Sequence, residues 1–328
     1  MIKSMSRSGI RTVVVYRSML AGNMAYYPIT PATYFPGEGM SSPSTQINKM
    51  PYSTETFSTL SATLTFSTGA IPLFNSRVSG YALQSGGASN KFSLVSDTNA
   101  TFSNTNPTIY TSPAGSVPEV SGVYLSTQGS TNSSAMLVYT WTYATDTTST
   151  STSMQSYSSN FGISGLFALS TNGTNLYMGG GNVAGSYICG GIIKYASSSA
   201  TSLLLFADTG TSPRARGQTA GAHNGSTAGY LAGGVTMPYQ TFTTSILKLA
   251  YSNETISTLA GTLTTARAPV RTGIQHGVCA YYGGGKNNGA STAVSVTTVE
   301  KFSFATETSA NLASASVNRD GYNSWNTL

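Results

Sequence analysis

An all-β fold, a six-bladed β-propeller, is predicted by three observations. A pattern of strand, aromatic residue, polar turn and strand recurs with spacings of 42, 49, 52, 56 and 53 residues. Strands that end in glycines alternate with these anchors. The two ends of the chain each hold what the other lacks. Units of about fifty residues are too small to bury an apolar face alone and become stable by stacking on their neighbours. Periods of that length with short strands point to a propeller.

The clearest copy runs from Ile246 through Tyr251, Glu254 and Thr255 to Leu259, then through Ala266-Arg267 to Cys279-Ala280-Tyr281-Tyr282-Gly283-Gly284-Gly285. Copies at Ile47 to Leu60 and Val299 to Leu312 align with it without gaps. Weaker copies place Leu94 before Asp97-Thr98, Tyr143 before Asp146-Thr147, and Tyr195 before a serine-rich turn. The anchors are therefore Tyr52, Leu94, Tyr143, Tyr195, Tyr251 and Phe304. The turn acids are read as turn formers, their carboxylates and the threonine hydroxyls satisfying backbone donors of tight hairpins.

Glycine-bearing strands fall at Tyr34 to Gly39, Tyr81 to Gly87, Tyr124 to Gly129, Tyr177 to Gly181, Tyr230 to Gly234 and Tyr281 to Gly285. Paired glycines suit positive φ or close approach to a neighbouring strand. The last unit ends before any glycine strand, whereas Tyr34 to Gly39 has no anchor ahead of it. N- and C-terminal strands are thus expected to close one blade, which removes the exposed edges of an open ring. Residues 22–328 form the propeller in this reading, and residues 1–21 an N-terminal arm or extra strand that contacts a partner.

Composition agrees with a packed β fold and narrows the function. The 328 residues carry only 8% charged side chains, about a third of the ordinary share, yet 39% are hydrophobic. That apolar content is too high for a chain that never packs. The formal net charge of +6 is spread without a basic run, which argues against a nucleic-acid groove. No stretch is long and apolar enough for a membrane-spanning helix, and the apolar run Thr12 to Tyr16 is too short for a secretory signal. Cys189 and Cys279 are read as buried free thiols.

The order strand, aromatic, turn acid with Thr, strand, Ala-Arg, Tyr-x-Gly-Gly resembles the kelch repeat from about residue 22 onward. Leu60, Leu259 and Leu312 stand where kelch repeats usually carry Trp, and Trp141 and Trp325 lie elsewhere. This Ser/Thr-rich, Trp-poor form resembles the kelch-type repeats of bacteriophage virion appendages, particularly those of environmental and cyanobacterial phages. The resemblance implies a virion structural protein of tail, neck or capsid, a fibre or decoration used in host attachment. It also implies many copies and contacts to other virion proteins through the arm.

For chemistry the sequence offers little. No cofactor or metal is expected, and no catalytic residue is assigned. His223 and His276, with Cys279 near Tyr281, invite comparison with kelch-type copper oxidases, but repeat-equivalent polar residues need no metal. Sialidase-type turns are absent, and no carboxylate pair of the glycosidase kind stands out. Arg214 and Arg216, then Arg267 and Arg271, occupy corresponding loops of adjacent blades and are the ligand-binding candidates, suited to a sugar phosphate or carboxylate. Their alternative role is to tie neighbouring blades through backbone carbonyls. The expected reading is a non-enzymatic virion protein that binds a host-surface glycan. The alternatives are a cellular or secreted kelch-like carbohydrate-binding or adhesin domain, and a propeller enzyme of copper-oxidase or sialidase type.

Overall fold

The computed structural model describes residues 31–36, 44–68, 73–76, 78–83, 88–103, 114–117, 121–127, 136–153, 163–164, 168–179, 182–183, 187–188, 192–196, 199, 201–206, 216–217, 219–236, 241–268, 271–275, 277–287, 294–316 and 325–326. The N-terminal arm, His276, Cys189 and Arg214 lie outside them. The described residues are all-β, and each strand pairing among them is antiparallel.

Six of the sheets have four strands, in chain order A to F. Sheet A joins Trp325–Asn326 to Ala32–Pro36, Ser44–Pro51 and Ser58–Thr68; sheet B is Leu73–Asn75, Ser79–Ala82, Ala88–Ser93 and Thr98–Ser103. Sheet C is Ala114–Val117, Ser121–Thr127, Met136–Thr142 and Thr147–Ser153; sheet D is Ala168–Thr171, Asn175–Gly179, Ile192–Ala196 and Thr201–Phe206. Sheet E is Ala220–His223, Ala228–Ala232, Ser245–Ala250 and Thr255–Thr262; sheet F is Arg271–Gln275, Cys279–Gly283, Thr298–Ser303 and Thr308–Ser316. The first strand of each sheet lies beside the first strand of the next, and that of F lies beside Trp325–Asn326 of A.

The shared terminal sheet matches the expectation from the chain ends, with Tyr34 opposite Trp325 and Thr33 opposite Asn326. The phase of the repeat differs from the expectation. The unit read from anchor strand to glycine strand straddles two sheets, because each glycine strand pairs with the anchor strand that follows it. Tyr34 faces Lys49, Tyr81 faces Lys91, Tyr230 faces Lys248 and Tyr281 faces Lys301 across these second and third strands.

The core lies between sheets. One cluster joins A and B through Tyr34, Ile47, Leu73, Phe92 and Leu94. Others join B to C through Phe74, Tyr81 and Trp141, and D to E through Tyr177, Leu231 and Leu249. Two more join E to F through Tyr230, Phe302 and Phe304, and F to A through Tyr281, Tyr52 and Met50. Leu60, Leu259 and Leu312, at the positions read as lacking Trp, pack half-buried against three of these clusters.

Each inter-sheet cluster is capped by a polar clasp that sequence reading missed. The turn acid of one sheet accepts hydrogen bonds from a lysine and a tyrosine of the sheet before it. Asp97 is met by Lys49 Nζ at 2.6 Å and Tyr34 Oη at 2.8 Å, and Asp146 by Lys91 at 2.7 Å and Tyr81 at 3.0 Å. Glu254 is met by Lys194 at 2.6 Å and Tyr177 at 3.2 Å, and Glu307 by Lys248 at 2.6 Å and Tyr230 at 3.3 Å. Glu55 is bonded by Lys301 and by Tyr281 at 2.8 Å. The first turn residue then stacks on the same tyrosine: Tyr143 on Tyr81, Tyr251 on Tyr177, Phe304 on Tyr230 and Tyr52 on Tyr281.

These acids all sit at positive φ, 52° for Glu55, 55° for Asp97, 52° for Asp146, 54° for Glu254 and 54° for Glu307. That left-handed position suits glycine or asparagine better than a longer side chain. The acid is explained by its partners in the preceding sheet, which corrects the reading of these residues as turn formers first. The turn itself is braced by a short side-chain bond that spans the acid, as between Thr54 and Thr56 at 3.0 Å, Thr145 and Thr147 at 2.6 Å, and Thr306 and Thr308 at 2.8 Å.

A partly exposed ion pair stabilises by about 0–1 kcal/mol, a tyrosine hydrogen bond by about 0.5–1.5, and an aromatic stack by about 0.5–1.5. One clasp with its stack therefore contributes roughly 1–4 kcal/mol to a junction by those measures. The apolar cluster beneath it contributes more, but without direction. The clasp sets which register of the two sheets is kept.

Candidate functional site

In each four-stranded sheet the connection from second to third strand and the connection into the first strand leave at the same end, because the strands are antiparallel. Sheets D, E and F elaborate that end. Between the second and third strands of D, Asn182–Val183 and Tyr187–Ile188 form a hairpin that also pairs with Ile163–Ser164 from the incoming connection. In E, Val235–Thr236 and Thr241–Phe242 do the same with Arg216–Gly217. In F, Lys286–Asn287 pairs with Val294–Ser295. All three extensions lie at the end of their sheets opposite the clasps.

Glycine pairs make two of these extensions sterically feasible. Gly233 and Gly234 have φ of 60° and 100°, and Gly284 and Gly285 have 64° and 102°. Two consecutive residues at positive φ are a conformation that side chains strongly resist. The turn in E is held by Gly234 N–H donating to the Arg267 carbonyl at 2.9 Å and by Thr243 N–H donating to Gly234 O at 3.0 Å. The second strand thereby runs on into its hairpin through two residues at positive φ, one of the two conformations that the glycine pairs suited.

The four candidate arginines separate. Arg267 is completely buried. Its Nη2 donates to Glu300 Oε1 at 2.8 Å and to Tyr282 O at 3.1 Å, and its Nη1 donates to Thr298 O at 2.8 Å and Gly284 O at 3.3 Å. The assignment of Arg267 to a ligand is corrected by that burial: the residue ties the E turn to the F extension through carbonyls. Desolvation lowers its pKa, and Glu300 opposes the shift. Glu300 is equally buried, and its second oxygen accepts Thr264 N–H at 2.6 Å. Arg216 stands in the E extension, paired with Thr236, and Arg271 opens the first strand of F, paired with Gly283. Arg214 lies outside the described residues.

The histidine and thiol positions fall elsewhere. His223 ends the first strand of E at the end opposite the extensions, where its Nδ1 accepts Gly225 N–H at 3.3 Å. Cys279 is a buried thiol in the F-to-A cluster, and burial pushes its pKa up. Its neighbour Tyr281 is engaged by Glu55. Among the described residues no group of three His, Cys, Asp or Glu side chains is placed to hold a metal ion.

Carboxylates are distributed just as plainly. Of the six described, Glu55, Asp97, Asp146, Glu254 and Glu307 pair with lysines and Glu300 pairs with Arg267.

No protein-family model and no curated protein matches the sequence. Among solved structures, the chain is similar to that of the propeller-type protein YjhT, with a TM-score of 0.60 and 10% identity, over 78% of this chain and 86% of that one. At that identity the likeness defines the fold alone. The chain is therefore an all-β protein of β-propeller-like architecture, with one elaborated end and one clasped end.

Proposed function

We propose that the six four-stranded sheets close into one six-bladed propeller, completed by the C-terminal strand in sheet A, and that the protein is a non-enzymatic structural component of a bacteriophage virion. It stands in many copies on tail, neck or capsid as a fibre or decoration protein, held to other virion proteins by residues 1–21. Its extended end faces outward and contributes to host attachment by binding a surface glycan.

The observation that carries the non-enzymatic reading is the engagement of all six described carboxylates in pairs with Lys or Arg that hold the fold. Glycoside hydrolysis needs two carboxyl groups facing each other across a cleft, one of them free to transfer a proton. The charges here serve the junctions instead. A rigid ring with hairpin extensions suits a binding role, since aromatic, amide and hydroxyl groups contact sugar faces at low entropic cost and many copies add avidity. Arg216 and Arg271, with Arg214, are the cations for an acidic sugar. The resemblance to phage-type kelch repeats supports the virion setting, and the likeness to YjhT supports the propeller.

Cryo-electron microscopy of the particle and glycan-array binding of the purified chain test this reading. The expected result is a six-lobed density on the virion and array binding weakened by Arg216→Ala with Arg271→Ala at unchanged melting temperature. Absence from every particle overturns the virion role. Hydrolysis or oxidation of a bound sugar overturns the non-enzymatic one. Closure is tested separately by Thr33→Cys with Asn326→Cys, register partners whose cross-link is expected to raise the melting temperature.

A further inference from the structure

Sheets C and D are neighbours, with Ala114–Val117 beside Ala168–Thr171, yet their junction lacks the groups of the clasp. Val123 faces Thr140 across the second and third strands of C, where the other sheets pair a tyrosine with a lysine. In sheet D, Thr201 pairs with Ala196, so the sequence puts Ser197 at the anchor position and Ala200 at the acid position. Tyrosine, lysine, aromatic anchor and acid are all replaced, two in each sheet, and the two pairs lie more than fifty residues apart in the chain.

The loss belongs to the junction and to neither sheet. Asp146 of C still holds Lys91 and Tyr81 of B, and Lys194 and Tyr177 of D still hold Glu254 of E. No lysine or carboxylate is left behind at the positions where a partner is missing. The turn of D keeps its brace, with Ser199 and Thr201 hydroxyls 2.7 Å apart. Met178 and Tyr195 are buried at positions whose counterparts elsewhere pack on the preceding sheet. The junction thus keeps buried apolar side chains and has lost the four groups of the clasp, and a contact without a clasp parts and re-forms without leaving a lysine or carboxylate unpaired.

We infer that the junction between C and D is a seam at which the ring opens and recloses while the clasped junctions stay shut. The inference rests on the closed ring proposed above, since an open chain of sheets would loosen first at its ends.

Hydrogen exchange of the full chain, read by mass spectrometry, tests it. Strands Met136–Thr142 and Ile192–Ala196 are expected to exchange at least tenfold faster than their counterparts Ala88–Ser93 and Thr298–Ser303. Restoring the clasp with Val123→Tyr, Thr140→Lys, Ser197→Tyr and Ala200→Glu is expected to remove that difference, a tenfold change being about 1.4 kcal/mol. A second variant, Lys49→Met with Asp97→Asn, is expected to create a new fast-exchanging seam between A and B whether or not the restored protein folds. Equal protection at all junctions overturns the seam, as does fast exchange that persists in the folded, restored variant or an A–B junction indifferent to loss of its clasp. Fast exchange confined to Ala32–Pro36 and the C-terminal strand overturns the closed ring and the seam with it, and is told from the other outcomes by its location.

Discussion

The junction between sheets E and F and the junction between C and D do the same architectural task with opposite means. At E and F, Lys248 and Tyr230 hold Glu307, Phe304 stacks on Tyr230, and the Arg267 carbonyl takes Gly234 N–H. A Cβ on Gly261 would lie 2.0 Å from the Glu307 carbonyl oxygen, so close do the two backbones run. At C and D the described residues supply apolar packing and no clasp. Apolar burial brings sheets together, and the polar rim decides how firmly one register is kept.

That contrast can be broken most severely where the E and F sheets are tied deepest. Replacing Arg267 by Met should destabilise by about 3–5 kcal/mol, because it leaves Glu300 as a buried unpaired carboxylate. Adding Glu300→Leu should recover most of the loss, and urea unfolding of the single and double variants measures both. Gly261→Ala is expected to cost about 1–3 kcal/mol by forcing the backbones apart, with the loss read in the same unfolding experiment. An equivalent cost from either change, measured against a clasp-free E and F pair, would show that the rim matters less than the comparison implies.

A smaller effect is expected from the clasp alone. Lys49→Met and Asp97→Asn should couple by about 0.5–1 kcal/mol in a double-mutant cycle, while Thr140→Val at the seam should couple to nothing in sheet D. Alkaline pH sharpens the same comparison. Burial and the adjacent Glu254 push the Tyr177 hydroxyl up to about 12; Tyr34, Tyr81 and Tyr230 are raised likewise by burial and their acids, and Tyr281 by burial, Cys279 and Glu55. A folded-state pKa above the unfolded value near 10 means stability that is complete below pH 10 and is lost as pH rises toward and past 12. Absorbance of tyrosinate should therefore show the clasp tyrosines ionising only together with unfolding. Tyr282→Phe should have the smallest effect, between neutral and about 1 kcal/mol stabilising, because its buried hydroxyl has no protein partner.

Much of the fold was legible because the repeat writes its turns in sequence. Thr at the end of each turn, the anchors Tyr52, Leu94, Tyr143, Tyr251 and Phe304, and the unfinished ends all carried over. Tyr195 did not: it sits two residues early, at the position of Phe92 and Phe302, and the register marker was the lysine before it. Lys49, Lys91, Lys194, Lys248 and Lys301 recur at fixed distance from the turn, and a search for that lysine would have corrected the frame. Periodicity cannot say which neighbouring strands share a sheet, so the phase slipped by one strand pair. At the candidate site, the glycine pairs were readable from local backbone demands. The burial of Arg267 was not, since it depends on carbonyls of Tyr282, Gly284 and Thr298 that only the sheet register brings around it.

The clasp also has a polarity: wherever it forms, the earlier sheet offers its lysine and tyrosine forward and the later sheet its acid backward. Such head-to-tail complementarity contains no rule for stopping, and an added or deleted unit would meet its neighbours as well as the original did. In the closed ring proposed above, the pairing of Trp325–Asn326 with Ala32–Pro36 is what ends the series. A bulky group attached beside Trp325–Asn326 would in that ring disturb closure before it disturbed the other five sheets.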